Sequence, residues 1–233
     1  MIAVDAARAR LGYAAAMPAS TKGATTASAS STHGSTQGST HASAPSSGTR
    51  HGPPPLLETA RLVLRPFRAS DLEDVFRYAT DPEVSRFVLW DRHETREDSQ
   101  RFLEWVIGQY GRGELPSWAV VQRSTGRLVG SIGYGASEPA HARAEVGYVL
   151  ARDCWGRGVM SEALAAVLGH AFGTLHLHKV VAHCHVQNVA SRRVLEKAGM
   201  RHEGRLYEQL FVKGGYWDID VLGMVDREWK GAR

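Results

Sequence analysis

Polar and apolar residues alternate through Arg61-Leu62-Val63-Leu64-Arg65, and Pro66 ends the run, which predicts a strand. Ser70 then stands as the cap of a helix whose first turn holds Asp71, Glu73 and Asp74, where the helix dipole favours acids. A second helix is expected from Thr95, with Asp98 three residues on and an apolar face of Phe102, Leu103, Trp105, Val106 and Tyr110. The period then changes to two. Trp118–Gln122 and Leu128–Ile132 flank Ser124-Thr125-Gly126 and read as a hairpin, and Ala144–Leu150 is the next strand. Ala163, Leu164, Val167, Leu168 and Phe172 fall on one helical face. Lys179–Ala182 opens another strand, a helix is expected over Val189–Lys197 with Gly199 as its stop, and closing strands are expected around 200–207 and 217–226. This order predicts an α+β fold: a mixed, mostly antiparallel sheet with flanking helices and one right-handed strand–helix–strand crossover between residues 144 and 185.

Composition divides the chain in two. Of its 233 residues, those from Pro18 to Pro55 include no Val, Ile, Leu, Met, Phe, Trp, Tyr or Cys and no acid. Nothing there offsets the entropy of ordering, so residues 1–55 are expected to form a disordered tail and residues 56–233 the folded domain. The Arg-bearing, Ser/Thr-rich start has a transit-peptide flavour, but a dispensable tail is the favoured expectation. The formal net charge is +4, of which +3 lies in residues 1–55, so the domain has no large basic excess and nucleic acid is not an expected partner. No apolar run is long enough to span a bilayer, so no membrane role is expected. Cys154 and Cys184 are too few for a disulfide scaffold and fit a reducing compartment, which points to the cytoplasm.

The chemistry concentrates between residues 149 and 163. A buried strand runs into a loop with Gly156 and Gly158, and the loop opens directly into a helix. Glycines let a bulky anion approach backbone amides, and a helix N-terminus supplies unpaired N–H groups and the positive end of a dipole. Together they suit a phosphate or pyrophosphate, with Arg152 and Arg157 at the rim. A plain strand-to-helix turn accounts for two glycines equally well. Asn188, just past the next strand, falls at the sheet edge where ligands lie in open α/β sheets. It suits an amide-bearing ligand arm, and it also suits the N-cap of the helix that follows.

Glu145-Val-Gly-Tyr-Val-Leu150, Trp155-Gly-Arg-Gly-Val-Met-Ser-Glu-Ala163 and Asn188-Val-Ala-Ser191 through Gly199, taken in order, resemble the GNAT superfamily of N-acetyltransferases. Glu58-Thr-Ala-Arg-Leu-Val-Leu-Arg-Pro-Phe67 and the closing Asp218 to Trp229 resemble its Rim-type branch, which acetylates ribosomal-protein N-termini. The resemblance covers about residues 56–230. It implies acetyl-coenzyme A as cosubstrate, held where strands 144–150 and 178–185 splay apart. Backbone of Tyr148, Val149 and Leu150 would pair with the pantetheine arm. The amides of Trp155, Gly156, Arg157, Gly158, Val159, Met160 and Ser161 would hold the pyrophosphate, and Asn188 would contact the arm beyond. The partner would be a primary amine, either a protein N-terminus or a small molecule, attacking directly without an acyl-enzyme. The protein would act as a monomer or homodimer. Glu145 matches the family's base. Where many members carry a Tyr acid this chain has Leu195, so Ser191 becomes the candidate acid. Met160 and Trp155 depart from the commoner residues without removing backbone donors.

Leu195 also motivates an alternative, a coenzyme A-binding regulatory module without turnover. His183 and His185 share one strand face, with His176 and His178 nearby, but their spacing fits no zinc signature, so no metal is expected. Phe87–Trp90, Tyr207, Tyr216 and Trp217 are candidates to wall the acceptor site.

Overall fold

A computed structural model of the chain describes residues 52–111 and 117–231. The expected tail up to residue 51 lies outside the described residues. The packed structure takes in Pro54, which is buried, and Pro55, whose carbonyl accepts a 2.8 Å hydrogen bond from Nε1 of the fully buried Trp118.

The strands are β1 (Leu57–Glu58), β2 (Leu62–Arg65), β3 (Ser117–Gln122), β4 (Leu128–Glu138), β5 (Arg143–Leu150), β6 (Lys179–His185), β7 (Arg201–Val212) and β8 (Gly215–Val225). They form one sheet in the order β1-β2-β3-β4-β5-β6-β8-β7. Every neighbouring pair is antiparallel except β5 and β6. The helices are α1 (Leu72–Ala79), α2 (Pro82–Ser85), α3 (Arg96–Gln109), α4 (Val159–Gly173) and α5 (Val189–Lys197). The expected α+β fold and the β5–α4–β6 crossover are present. No helix among the described residues is long and apolar enough to cross a membrane.

Local rules account for most boundaries. Thr95 and Asp98 form a capping box at the start of α3. Gly199 ends α5 with φ +92°, a conformation side chains disfavour. Ser70, by contrast, is not the cap of α1. A 3₁₀ turn over Ala69–Asp71 precedes the helix and Asp71 is the N-cap. The reason is a competing bond: the buried Asp71 carboxylate takes both terminal nitrogens of Arg65, at 2.7 and 2.8 Å, and the Arg68 amide at 2.8 Å. A bidentate charged pair outweighs a hydroxyl cap.

Strand β5 parts from β6 after three paired positions, the last being Glu145 with Val181. Beyond it, β5 stays paired to β4 as far as Leu150, and β6 stays paired to β8 as far as His185. The sheet therefore forks. At the same level β4 carries a bulge: Tyr134 pairs with Val146 and Ser137 with Ala144, so two β4 residues face Glu145 alone. A bulge bends its strand pair and raises the local twist, which turns β5 away from β6 where the fork opens.

Alternation along each strand sorts the two faces. Tyr134 donates from its hydroxyl to the Val167 carbonyl of α4 (2.9 Å), and Tyr148 donates to the Ser191 carbonyl of α5 (3.1 Å). Even-numbered residues of β5 thus face α4 and α5, while Glu145, Gly147 and Val149 face the other side. The close approach of β4 to the free limb of β5 depends on Gly130, where a Cβ would lie 2.3 Å from the Val149 carbonyl oxygen. Gly130→Ala is expected to destabilise the fold by about 1–3 kcal/mol, since backbone must move to admit the methyl group; a lower urea midpoint at unchanged slope would show it.

Candidate active site

The fork opens onto a cavity of about 530 Å³. Its lining comes from the free limb of β5, the 154–161 loop and first turn of α4, the first two turns of α5, and the segment from Glu83 to Phe87. Ten of the eleven residues expected to bind a cofactor line it: Tyr148, Val149, Leu150, Trp155, Gly156, Gly158, Val159, Met160, Ser161 and Asn188. Ser191 does so as well. Arg157 does not; its carbonyl is held by Nη1 of Arg61 at 3.0 Å.

The loop owes its shape to glycine. Gly156 and Gly158 have φ of +72° and +73°, and Gly158 is the N-cap of α4. The first amide of the helix to bond back is that of Glu162, to the Gly158 carbonyl at 3.1 Å. Helix geometry therefore leaves the amides of Val159, Met160 and Ser161 without intrahelical partners. They stand at the positive end of a 15-residue helix whose first turn lines the cavity. Glu162, the acid of this turn, does not cancel that field at the cavity. Its carboxylate is turned to β2's approach, accepting from Thr59 Oγ1, the Arg61 amide and Arg61 Nε at 2.6–2.9 Å. The Trp155 amide is also used internally, donating to the Arg152 carbonyl at 3.1 Å, so the expected run of anion-holding amides loses its first member. Arg193 and Lys197, one turn apart on α5, line the cavity and add positive charge. Sequence reading missed them; their (i, i+4) spacing on the helix after Asn188 was the available signal.

The free limb of β5 has its own polarity. The Ala151 amide donates to the Val129 carbonyl at 2.7 Å, and antiparallel alternation then turns the backbone groups of Val149 and Gly147 toward β4. Those of Tyr148 and Leu150 face the fork. The Leu150 carbonyl is covered by Nε1 of Trp155 at 2.8 Å, leaving the Tyr148 groups and the Leu150 amide as open strand edge. Val149, expected to offer its backbone to a ligand, offers its side chain instead.

Asn188 is the N-cap of α5, its Oδ1 accepting from the Ser191 amide at 3.1 Å, which leaves its amide nitrogen as a donor at the cavity wall. The buried Ser191 places Oγ 3.1 Å from the Tyr148 hydroxyl. Burial pushes the Tyr148 phenol well above its ordinary value, against a smaller opposing effect of the Ser191 hydrogen bond. This Tyr148–Ser191 pair was not foreseen, because sequence offered Tyr148 only as backbone. Leu195 is fully buried, and Met160 is absorbed by the core.

Glu145 is not among the cavity-lining residues. It sits at the closed end of the fork, 4% exposed, with Oε1 2.9 Å from His183 Nδ1. On the same face, the His185 ring lies between Phe87 (centroids 5.0 Å) and Trp217 (4.7 Å). Of Phe87–Trp90, only Phe87 reaches the cavity; Val88 is buried, and Trp90 packs on the core. Tyr207 and Tyr216 are exposed rather than walling the site. Among the described residues no three His, Cys, Asp or Glu side chains converge as a metal-ligand set.

Residues 61–201 match the acetyltransferase (GNAT) domain. The chain belongs to the GNAT family of N-acetyltransferases. It is 32% identical over 171 residues to the uncharacterized N-acetyltransferase YoaA of Bacillus subtilis, covering 73% of this chain and 97% of that one. It is 26% identical over 132 residues to the ribosomal-protein-serine acetyltransferase of Escherichia coli, covering 57% and 73%. Its fold matches that of Mycobacterium smegmatis RimJ in complex with CoA-disulfide, with a TM-score of 0.67 at 23% identity, covering 79% and 92%. The expected Rim-type resemblance is thereby shown, and an N-acetyltransferase transfers acetyl to an amine.

The α5 helix that carries Asn188 and Ser191 is anchored from behind by Asp220 of β8, 1% exposed. Asp220 accepts from Arg192 Nη1 (2.8 Å) and Arg205 Nε (2.8 Å), with His202 Nε2 at 3.3 Å. Burial pushes its carboxyl up, but the hydrogen bonds and charges of Arg205 and His202 outweigh it and the net shift is downward. A carboxyl depressed in the folded state stabilises above the ordinary carboxylate value, and the effect is lost as pH falls through the depressed one. Asp220→Asn is expected to cost about 1–3 kcal/mol at pH 7. Urea unfolding at falling pH should show the gap to wild type narrowing below about pH 4.

Proposed function

We propose that this N-acetyltransferase uses acetyl-coenzyme A and transfers the acetyl group to the primary amine of a protein N-terminus, a reading supported by its similarity to a ribosomal-protein-serine acetyltransferase. The observation that carries the reading is the fork itself: an opened sheet with one limb of free strand edge, ending at a helix N-terminus with three uncommitted amides. These are complementary to the two ends of one elongated ligand, an amide-bearing arm and a diphosphate. The Tyr148 backbone groups suit the arm as an added strand, with Asn188 beyond. The amides of Gly156 to Ser161 with Arg193 and Lys197 suit the phosphates. When bound, acetyl-coenzyme A supplies an acetyl carbonyl activated as a thioester.

The chain's own residues supply the rest. The Leu150 amide faces the fork and is the donor suited to charge developing on a carbonyl oxygen. The Tyr148 and Ser191 hydroxyls, 3.1 Å apart at the cavity wall, are the groups suited to hydrogen-bond the departing sulfur. Glu145, at the fork's closed end on the face away from α4 and α5, supplies negative charge for drawing a proton from the incoming ammonium. The Phe87 side supports entry of the acceptor opposite the cofactor loop.

Titration of the full chain with acetyl-coenzyme A is expected to show saturable one-site binding, weakened about fivefold in Arg193→Ala and Lys197→Ala, the effect of about 1 kcal/mol each. No saturable binding ends the reading. Thiol release with N-terminal peptides as acceptors should then fall about 10²-fold in Tyr148→Phe at unchanged cofactor affinity.

A further inference from the structure

Glu145 and His183 raise a question that the cofactor cleft does not answer. Both are at least nine-tenths buried, at 4% and 9% exposure. Oε1 and Nδ1 stand 2.9 Å apart, yet the approach is not aligned as a hydrogen bond, and neither atom has another partner. A buried carboxylate and imidazole left in this state cost free energy unless the arrangement serves something. Hydrogen bonds of reacting groups are commonly misaligned before substrate binds and tighten afterwards.

Position decides what the pair can do. Glu145 is the last residue of β5 paired to β6, and Val181 is its partner. His183 is two residues further along β6, on the same face and on the free limb. Neither Glu145 nor His183 is among the cavity-lining residues; His183 stands two residues nearer the open end of the fork. The His183 Nδ1 is buried against Glu145, while the side chain as a whole keeps 11% exposure. The neighbouring imidazole cannot take the part. His185 Nδ1 accepts from the Gln187 amide at 3.1 Å, and its ring is packed between Phe87 and Trp217. An acceptor Nδ1 puts the proton of a neutral ring on Nε2. Other charged groups on this face lie toward His185, namely Asp218 of β8 and Arg86 beyond α2. Across from His183 on β8 stands Val221, which carries no charge.

We propose that His183 Nε2 is the atom that takes the proton from the acceptor ammonium, directly or through one water, and that Glu145 is a positioning residue holding the ring with its proton on Nδ1. This rests on the acetyl-transfer reading above and deepens it, moving the proton acceptor from the carboxylate to the imidazole beside it. The step balances. One ammonium proton passes to Nε2 and frees the nitrogen lone pair. The N–C bond forms and the C–S bond breaks. The second nitrogen proton is matched by the one that ends on sulfur as thiol, and Nε2 releases its own to solvent. The Glu145 carboxylate stabilises the imidazolium in between, as an acid behind an imidazole does in hydrolytic triads.

Three measurements on the full chain test this. In His183→Gln, kcat at pH 7 with an N-terminal peptide should fall 10²–10⁴-fold while acetyl-coenzyme A affinity stays within twofold. The loss should shrink steadily toward pH 10, as the peptide amine arrives already deprotonated. A structural defect would lose activity equally at every pH. In Glu145→Gln, kcat should fall with little change in the acceptor KM. Nitrogen-15 NMR of the histidines, which needs no turnover, should show His183 protonated on Nδ1 in wild type and shifted toward Nε2 in Glu145→Gln. The proposal is overturned if His183→Gln keeps kcat within threefold, if its loss is independent of pH, or if wild-type His183 carries its proton on Nε2. Absence of wild-type turnover with a Nδ1-protonated His183 would count against the peptide acceptor instead.

Discussion

The backbone hydrogen bonds that β5 and β6 stop making after Glu145 are what this structure is organised around. A sheet interior does not leave strand edges open without reason, because each unpaired N–H or C=O facing an apolar wall is costly. Here the opening is enforced by a bulge in β4 set directly opposite Glu145 and by the continued pairing of each limb to its outer neighbour. Each limb is held by its outer neighbour, so the gap is built into the strand pairing. One edge group is satisfied within the chain, by the Trp155 indole on the Leu150 carbonyl, and Tyr148 and Leu150 line a cavity.

The two ends of the fork do different work because they differ in polarity. At the open end the β5–α4 turn presents amides at a helix N-terminus, and the one acid of that turn is drawn aside by Thr59 and Arg61. The result is a cationic rim formed largely of backbone, backed by Arg193 and Lys197. At the closed end the sheet faces carry opposite chemistry. One face sets the Tyr148 hydroxyl against Ser191 of α5; the other sets a carboxylate against an imidazole.

Much of this was legible in the chain. The period-two and period-3.6 stretches located the long strands and helices, because burial of one face imposes those periods whatever the final topology. The Thr95–Asp98 capping box and the Gly199 stop read correctly, since both act within a few residues. Ser70 misled because a local preference was overridden by a charged partner, Arg65, that sequence does not mark as a neighbour of Asp71. The cavity-lining loop was legible for a similar local reason: Gly156 and Gly158 adopt positive φ, and that need shows in residue type alone.

What the chain by itself determined, then, is everything set by short-range sterics and periodic burial: element types, most caps, the glycine loop and the position of Asn188 at the head of α5. Tertiary structure alone decided which groups meet across distance. It joined the Tyr148 hydroxyl to Ser191, brought Glu145 against His183, turned the backbone groups of Val149 toward β4 and placed Phe87 beside His185. Those contacts depend on strand register and on where a bulge parts two strands, and a one-residue change in either would send every side chain to the opposite face.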